Sequence, residues 1–327
     1  MVAKKYAFLG RYICSALCIL CLILLVINPG SAADAVRKAF SLCSGIILPS
    51  LLPFFFISGI IYALAIPQHL ASILHKPMEK LLGLNPWACA PLLLGLLGGY
   101  PIGAATLAQL RMDEKISAEE SDNLLPICNN TGPAFIIGAV GGGIFSSLSA
   151  GIIIYFAHIL AALALAILFS SRRSYAPIDF DAAEEMPISA ALTSSIKSAI
   201  EKCLGICGYV IFFSVLSSLL DELGIISFLA ININRLSGLE IGYCRSLVAG
   251  ILELGGGIAS MEGIGKSPLS MALAAFILGF GSLSVHCQTH ALVHAAKIKC
   301  ARHFVGRLIH GSISAVTVYF LAMIFRI

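Results

Sequence analysis

Long apolar stretches alternate with short polar connections along the chain. A membrane-spanning helix needs about 20 mainly apolar residues. The uninterrupted stretches of about this length are 6–27, 40–66, 147–169, 203–220 and 304–325. Together with interrupted apolar stretches between them, they predict an all-α polytopic membrane protein with about 8 spanning segments.

The remaining apolar stretches carry residues that break helices. Residues 87–110, 124–145, 241–264 and 271–294 hold glycines, prolines or polar side chains within otherwise apolar sequence. Open backbone at membrane depth persists only inside protein or along a water-filled cavity. These stretches therefore predict interrupted or re-entrant helices, with hinges and turns at Gly98, Gly99, Pro101, Gly103, Gly132, Pro133, Gly255 and Gly256.

The two halves of the chain share one layout at a fixed offset. Gly98-Gly99 and Gly255-Gly256 lie 157 positions apart (255 − 98), and the same offset carries Phe55 onto Phe212. Inverted repeats with broken helices are a common transporter plan, and an odd number of crossings in each half would invert the copies. The predicted organisation is an anchor and loop (1–39), a first repeat (40–170), a polar linker (171–200) and a second repeat (201–327).

The first apolar stretch has two interpretations. Lys4 and Lys5 precede it and the small residues Ser31, Ala32 and Ala33 follow it, as in a signal peptide. Its length favours a retained membrane anchor. The same lysines favour a cytoplasmic N-terminus, while Arg302 and Arg307 leave the side of the C-terminus open.

Composition supports a membrane environment. Hydrophobic residues make up 58% of the chain and charged residues only 12%, against roughly 25% charge in soluble domains. The bilayer is thus the expected partner and the cell membrane the expected location. The net charge of +4 is dispersed and forms no basic patch, which argues against nucleic acid. No GxSxG or HExxH motif occurs, so neither an enzyme nor a cofactor is predicted.

Polar side chains in the broken stretches are candidate solute ligands. Asn129, Asn130 and Thr131 precede Gly132-Pro133, and they either contact a polar solute or cap a broken helix. Tyr100 and Gln109 could line the same solute-binding cavity as these residues.

Glu253, His286 and Gln288 occupy the corresponding stretches of the second half. An ionisable group at membrane depth usually faces a cavity or a partner, so Glu253 is a candidate for proton or solute binding, or else forms a buried pair. His286 and His290 could share a metal, but no third ligand is evident. No metal site is therefore predicted.

Several segments also resemble a known family. They read GGYPIGA at 98–104, ISAEE at 116–120, CNNTGPAFI at 128–136, LELGGGI at 252–258 and GFGSLSVHCQ at 279–288. This set resembles the nucleoside-recognition or Gate domain and, more closely, the YlbJ-type sporulation integral membrane proteins, from about residue 40 to the end. Tyr100 and Thr131 replace the Phe and Ser that are common in relatives.

The resemblance implies a membrane gating unit that acts in spore formation, particularly of the cortex. The leading hypothesis is transport or gating of a small polar solute, with a nucleoside-like compound as first guess. The alternative is a non-transporting scaffold that recruits other sporulation membrane proteins or spore-envelope enzymes. A homo-oligomer is compatible with either hypothesis.

Overall fold

The structure, a computed structural model, describes residues 2–170 and 187–327 and is helical throughout these ranges. The first half contains α1 (Val2–Ile27), α2 (Pro29–Leu42), α3 (Leu48–Ala63), α4 (Ile66–Ile73), α5 (His75–Pro77), α6 (Cys89–Gly98), α7 (Ile102–Met112), α8 (Ala118–Cys128) and α9 (Leu148–Leu168). They are connected by three short π-helical segments and one 3₁₀ turn. The π-helical segments are Cys43–Ile47, Met78–Leu82 and Ala134–Ile144, and the 3₁₀ turn is Pro86–Ala88.

The second half is built of longer and fewer elements. It contains α10 (Ile188–Glu222), α11 (Ile225–Ser237), α12 (Ile241–Leu252), α13 (Leu254–Ala259), α14 (Pro268–Phe280), α15 (Leu283–Val293) and α16 (Ala301–Phe325). These elements follow one another as a long helix, a shorter helix, two interrupted helix pairs and a closing helix. The elements from α3 to α9 follow the same order, apart from α5 and the π-helical segment Met78–Leu82.

Several described helices can cross a membrane. Four spans are long and apolar enough: Leu148–Leu168, Ile188–Glu222, Ala301–Phe325, and Pro268–Val293, which combines α14 and α15. Three further pairs, each bent by 77–101°, raise the number to seven if every pair is one span. The prediction of an all-α polytopic membrane protein with broken helices is confirmed.

The outer surface of α9 shows why the chain needs lipid. Large apolar side chains one or two turns apart stay exposed along this helix: Leu148, Ile152, Phe156, Leu160 and Ile167. The opposite face is buried and rich in small residues, including Ala157, Ala161 and Ala162. Such an apolar stripe is stable against lipid tails, whereas water would disfavour it.

All four predicted interruptions are present. The breaks separate α6 from α7 at Gly99, α8 from Ala134–Ile144 at Asn129, α12 from α13 at Glu253, and α14 from α15 at Gly281. The polar connection before α8 also forms a capping box. Ser117 Oγ accepts from the Glu120 amide at 3.3 Å, and the Glu120 carboxylate accepts from the Ser117 amide at 3.1 Å.

Two predicted connections are helical instead. Residues 29–39, predicted as loop, form most of α2, whose first-turn proline has a φ angle already suited to a helix. Residues 188–200, predicted as linker, are the first turns of α10. Their buried positions Ala191, Ser195 and Ala199 recur every fourth residue, a narrow helical stripe that averaged hydropathy overlooks. Linker residues 171–186 lie outside the described residues.

Close helix contact in the second half depends on two glycines. A Cβ atom at Gly279 of α14 would lie 2.6 Å from Gly311 Cα of α16. At Gly311, a Cβ would lie 2.8 Å from the Phe276 carbonyl oxygen. Both separations are too short for a side chain, so the backbones of α14 and α16 touch directly.

Gly311→Ala should therefore destabilise the protein, because the added methyl group forces these helices apart at a cost of about 1–3 kcal/mol. Gly205→Ala in α10 is the matched control, since a Cβ there meets nothing within 4 Å. Alanine also stabilises a helix interior by up to about 1 kcal/mol relative to glycine. Thermal unfolding in detergent, followed by circular dichroism, measures both changes. Equal midpoints for the two variants would contradict the direct contact.

Candidate functional site

The four helix breaks meet at one cavity of about 100 Å³, the central cavity. It is lined by residues at the first three breaks, namely Gly98, Gly99, Tyr100, Thr131, Gly132, Glu253 and Gly255, and by Ser284 and Gln288 of α15, the helix that follows the fourth break. The facing wall is apolar and comes from the α2–α3 region and α10, including Leu42, Leu51, Ile206 and Val210. The two halves thus contribute to a single site.

Glycines allow the first two breaks to cross closely. Gly99 has a φ of +85°, which disfavours other residues. A Cβ atom at Gly99 would also lie 2.6 Å from the Gly132 backbone nitrogen. Gly103 faces the end of α8 in the same way, because its Cβ would lie 1.9 Å from the Cys128 carbonyl oxygen. The predicted hinge glycines of the first half therefore bring the two broken helices into contact.

Glu253 forms the break between α12 and α13. Its carboxylate accepts hydrogen bonds from the backbone amides of Gly255 at 2.9 Å and Gly256 at 2.5 Å. The side chain is only 4% exposed, and no described lysine, arginine or histidine forms an ion pair with it. The carboxylate thus caps α13 and lines the central cavity, and the alternative of a buried ion pair is not seen among the described residues.

Tyr100 and Thr131 of the first half satisfy a carbonyl at the end of α14. The Tyr100 hydroxyl donates to the Leu278 carbonyl at 3.1 Å, and the Thr131 hydroxyl donates to it at 2.9 Å. The last carbonyls of a helix have no partner within the helix itself. The break in α14–α15 is therefore stabilised by side chains from the other half.

Arg307 lies at the centre of the molecule, where sequence reasoning did not place a site residue. Its side chain is fully buried on α16. The guanidinium donates to the Tyr100 hydroxyl at 2.5 Å, to Asn130 Oδ1 at 3.2 Å and to the Pro126 carbonyl at 3.4 Å. All three acceptors are neutral and belong to the first half. Arg307 consequently joins α16 to both breaks of that half.

Histidines and amides surround Arg307 and form the buried polar network, which consists of Asn129, Asn130, His158, His286, His303, Arg307 and His310. Asn129 Nδ2 lies 2.8 Å from Thr289 Oγ1 and 3.1 Å from His303 Nε2. His286 Nδ1 lies 3.3 Å from His303 Nδ1. The Thr131 amide donates to His158 Nε2 at 3.1 Å. Within the described ranges, no three metal-type ligands converge despite these histidines.

A signal for this network was present in the sequence. His303, Arg307, His310 and Ser314 recur at spacings of four, three and four residues, which places them on one face of α16. All four side chains are buried. A polar stripe inside an apolar helix marks a face that avoids lipid.

The predicted solute ligands separate into three groups. Tyr100, Thr131, Glu253 and Gln288 line the central cavity. Asn129, Asn130 and His286 lie behind it, in the buried polar network. Gln109 is elsewhere, in a second cavity between α3, α7 and α10, where its amide donates to Asp113 at 3.0 Å.

Comparison with known proteins agrees with the resemblance seen in the sequence. Residues 45–173 match the family model described as Gate, nucleoside recognition. The chain is 28% identical over 326 residues to the sporulation integral membrane protein YlbJ of Bacillus subtilis (strain 168). The alignment covers 90% of this chain and 78% of the relative. No solved structure matches the chain. The similarity and the apolar helices together identify a multi-pass membrane protein.

Arg307→Gln should lower stability, because a glutamine cannot reach all three acceptors and leaves buried polar groups unpaired. We expect a loss of about 2–3 kcal/mol. Arg302→Gln on the same helix is the control: this exposed arginine bonds Asn123, and surface changes cost little. Unfolding in mixed micelles measures the difference. Stability of Arg307→Gln at or above that of the parent would show that burying the cation costs more than its hydrogen bonds return.

Proposed function

We propose that this chain transports or gates a small polar solute across the membrane, with the central cavity as its binding site. The observation that carries the proposal is the meeting of four helix breaks, two from each half, around one cavity. Transporters with repeated halves commonly bind substrates where discontinuous helices meet near the middle of the bilayer.

The chemistry of the central cavity suits a solute with hydroxyl or amide groups. Glu253 offers a hydrogen-bond acceptor, and Gln288 offers both a donor and an acceptor. The Gln288 amide donates to the Ser284 hydroxyl at 3.1 Å, a bond that a solute could replace. A nucleoside carries such groups on its sugar and its base. The matched family model, described as nucleoside recognition, supports the same first candidate.

The volume of the central cavity indicates a closed conformation. Sites for small molecules usually measure about 300–1,000 Å³, whereas this cavity measures about 100 Å³. A nucleoside therefore fits only after one wall moves away. The apolar wall of Leu51, Ile206 and Val210 can move most easily, because its side chains contact the breaks only through non-directional apolar packing. Solute binding would then shift the population towards the open form.

The similarity to YlbJ supports a role of the proposed activity in spore formation. That relative is named a sporulation integral membrane protein, and the similarity extends over most of both chains. We therefore propose that the solute moves during sporulation. The scaffold hypothesis makes a different prediction about which residues matter, as described below.

Uptake into proteoliposomes tests the proposed site. Purified protein should accumulate radiolabelled uridine or adenosine, and Glu253→Gln and Gln288→Ala should each lower the initial rate about tenfold, equivalent to about 1.4 kcal/mol. Ser312→Ala is the control, since this exposed hydroxyl bonds only the Leu308 carbonyl of its own helix. Parent-like rates in both cavity variants would remove these side chains from the site. No uptake of either compound by the parent would exclude nucleosides as the solute.

Spore heat resistance separates transport from scaffolding. In a spore-forming host that lacks its own copy, Glu253→Gln and Gln288→Ala should reduce heat-resistant spores at normal protein levels. Glu114→Gln and Lys115→Gln, in the exposed loop before α8, should leave them unchanged. The reverse pattern would favour a scaffold that binds its partners through its loops.

A further inference from the structure

A second cavity of about 400 Å³, the vestibule, lies between α3, α7 and α10. The residues that matter here are Phe55, Ile102, Thr106, Gln109, Ser198 and Lys202. Its volume falls within the range of small-molecule sites, about 300–1,000 Å³, unlike that of the central cavity. In this conformation the vestibule is therefore larger than the central cavity.

The vestibule and the central cavity follow one another along the same helices. On α10, Ser198 and Lys202 face the vestibule, and Ile206 and Val210 face the central cavity, at steps of four residues. On α3, Leu51 faces the central cavity and Phe55 faces the vestibule. Residues four apart lie on one face of a helix. One continuous wall therefore borders both spaces.

Two apolar side chains lie where the spaces adjoin. Phe55 of α3 is 3% exposed and Ile102 of α7 is 1% exposed, and both belong to one apolar cluster with residues of α10. Ile102 follows Tyr100 and Pro101, the break that lines the central cavity. We call Phe55 and Ile102 the apolar layer. Along α3 and at the start of α7, these are the vestibule-lining residues nearest in sequence to those that line the central cavity.

The other end of the vestibule points to a charged loop. Tyr62 and Gln109 line this end, and both side chains hydrogen-bond to the Asp113 carboxylate. Asp113 is exposed and directly follows α7, at the start of the polar connection to α8. A charged and exposed loop belongs in water. Water therefore reaches the vestibule from this side.

Lys202 gives the vestibule its chemical character. Its ammonium lies 5.7 Å from the centre of the Phe55 ring, next to the apolar layer. No described carboxylate lies within ion-pair distance of it, and Glu201, its neighbour in sequence, is exposed. Asp113, the other nearby carboxylate, is bonded to lining residues at the far end. A partly buried ammonium one helical turn from the Ser198 hydroxyl suits an anionic group, which forms strong hydrogen bonds with such donors. The Thr106 hydroxyl already donates to the Ile102 carbonyl at 3.0 Å.

We infer that the vestibule is an outer binding site for a solute with an anionic group, that Lys202 selects for this group, and that the apolar layer is the barrier to the central cavity. The inference rests on the proposed function and narrows its solute class to compounds such as phosphorylated or carboxylated nucleosides.

Thiol labelling tests the site without any transport measurement. Ser198→Cys places a thiol in the vestibule, and Ile206→Cys places one two turns further along the same face, in the central cavity. The probes are an anionic reagent (sulfonatoethyl methanethiosulfonate) and a cationic one (trimethylammonium-ethyl methanethiosulfonate), each normalised to its rate with mercaptoethanol. Peptide mass spectrometry of the full chain in proteoliposomes resolves these thiols from the native cysteines.

At Ser198→Cys, the anionic reagent should react about tenfold faster than the cationic one, since a cationic cleft raises the local concentration of anions. The ratio should fall to about one in Lys202→Gln and be retained in Lys202→Arg. Equal rates in the parent, or a ratio that survives Lys202→Gln, would overturn the role of Lys202.

The apolar layer is tested by the second thiol. Ile206→Cys should react at least about tenfold more slowly than Ser198→Cys, and Ile102→Val and Ile102→Ala should raise its rate in that order, as the side chain shrinks. Unchanged labelling of Ser198→Cys in the same variants confirms that the fold persists. Equal reactivity of the two thiols in the parent would overturn the barrier. Labelling as expected with no uptake of uridine or adenosine would exclude these neutral compounds as the solute and leave the vestibule assignment in place.

Discussion

The structure depends on the hydrogen bonds of one buried cation. A guanidinium at membrane depth is costly unless polar groups surround it, and the hydrogen-bond acceptors of Arg307 among the described residues lie in the first half of the chain. Its acceptors belong to both breaks of that half: Tyr100 on one side, and Pro126 and Asn130 on the other. Because Arg307 itself belongs to the last helix of the second half, its hydrogen bonds fix the breaks of one half against the other. The central cavity is the space that remains beside this junction.

The breaks differ in how firmly their polar groups are held, and this difference indicates which wall can move. Tyr100 and Thr131 bond the Leu278 carbonyl, and the Thr131 amide bonds His158, so the side of the cavity towards α14 and α16 is held by directional bonds. The opposite wall, from α3 and α10, contributes apolar side chains. Apolar contacts have no preferred direction, so movement along this wall breaks no directional bond. The side-chain bonds of Tyr62 with Asp113 and of Asp221 with Arg245 lie near the ends of α3 and α10, away from the cavity. A fixed polar wall and a movable apolar wall together meet the requirement of a site that opens and closes.

The sequence revealed the local features of this arrangement but not the long-range ones. Glycine, proline and polar residues in apolar stretches located all four breaks, because broken helices need these residue types wherever they occur. The partners of Arg307 could not be found in this way, since Tyr100 is 207 positions away and its approach depends on the crossing of Gly99 and Gly132. Gln109 was predicted beside Tyr100, but the rotation of α7 turns it towards the vestibule. Averaged hydropathy also missed the bend after α3, where Ala65 has a φ of +54°.

Three buried or partly buried charges along the proposed route have different physical roles. Arg307 is surrounded by neutral acceptors that the fold holds in place, so its charge is used to join the halves. Glu253 accepts only backbone amides, and Lys202 has only an aromatic ring beside it; neither forms an ion pair in the described part of the chain. Desolvating an unpaired charge is expensive, and the two capping hydrogen bonds of Glu253 and the aromatic ring beside Lys202 offset only part of that cost. Each of the two lines a cavity, where the proposed polar or charged solute would supply the missing contacts.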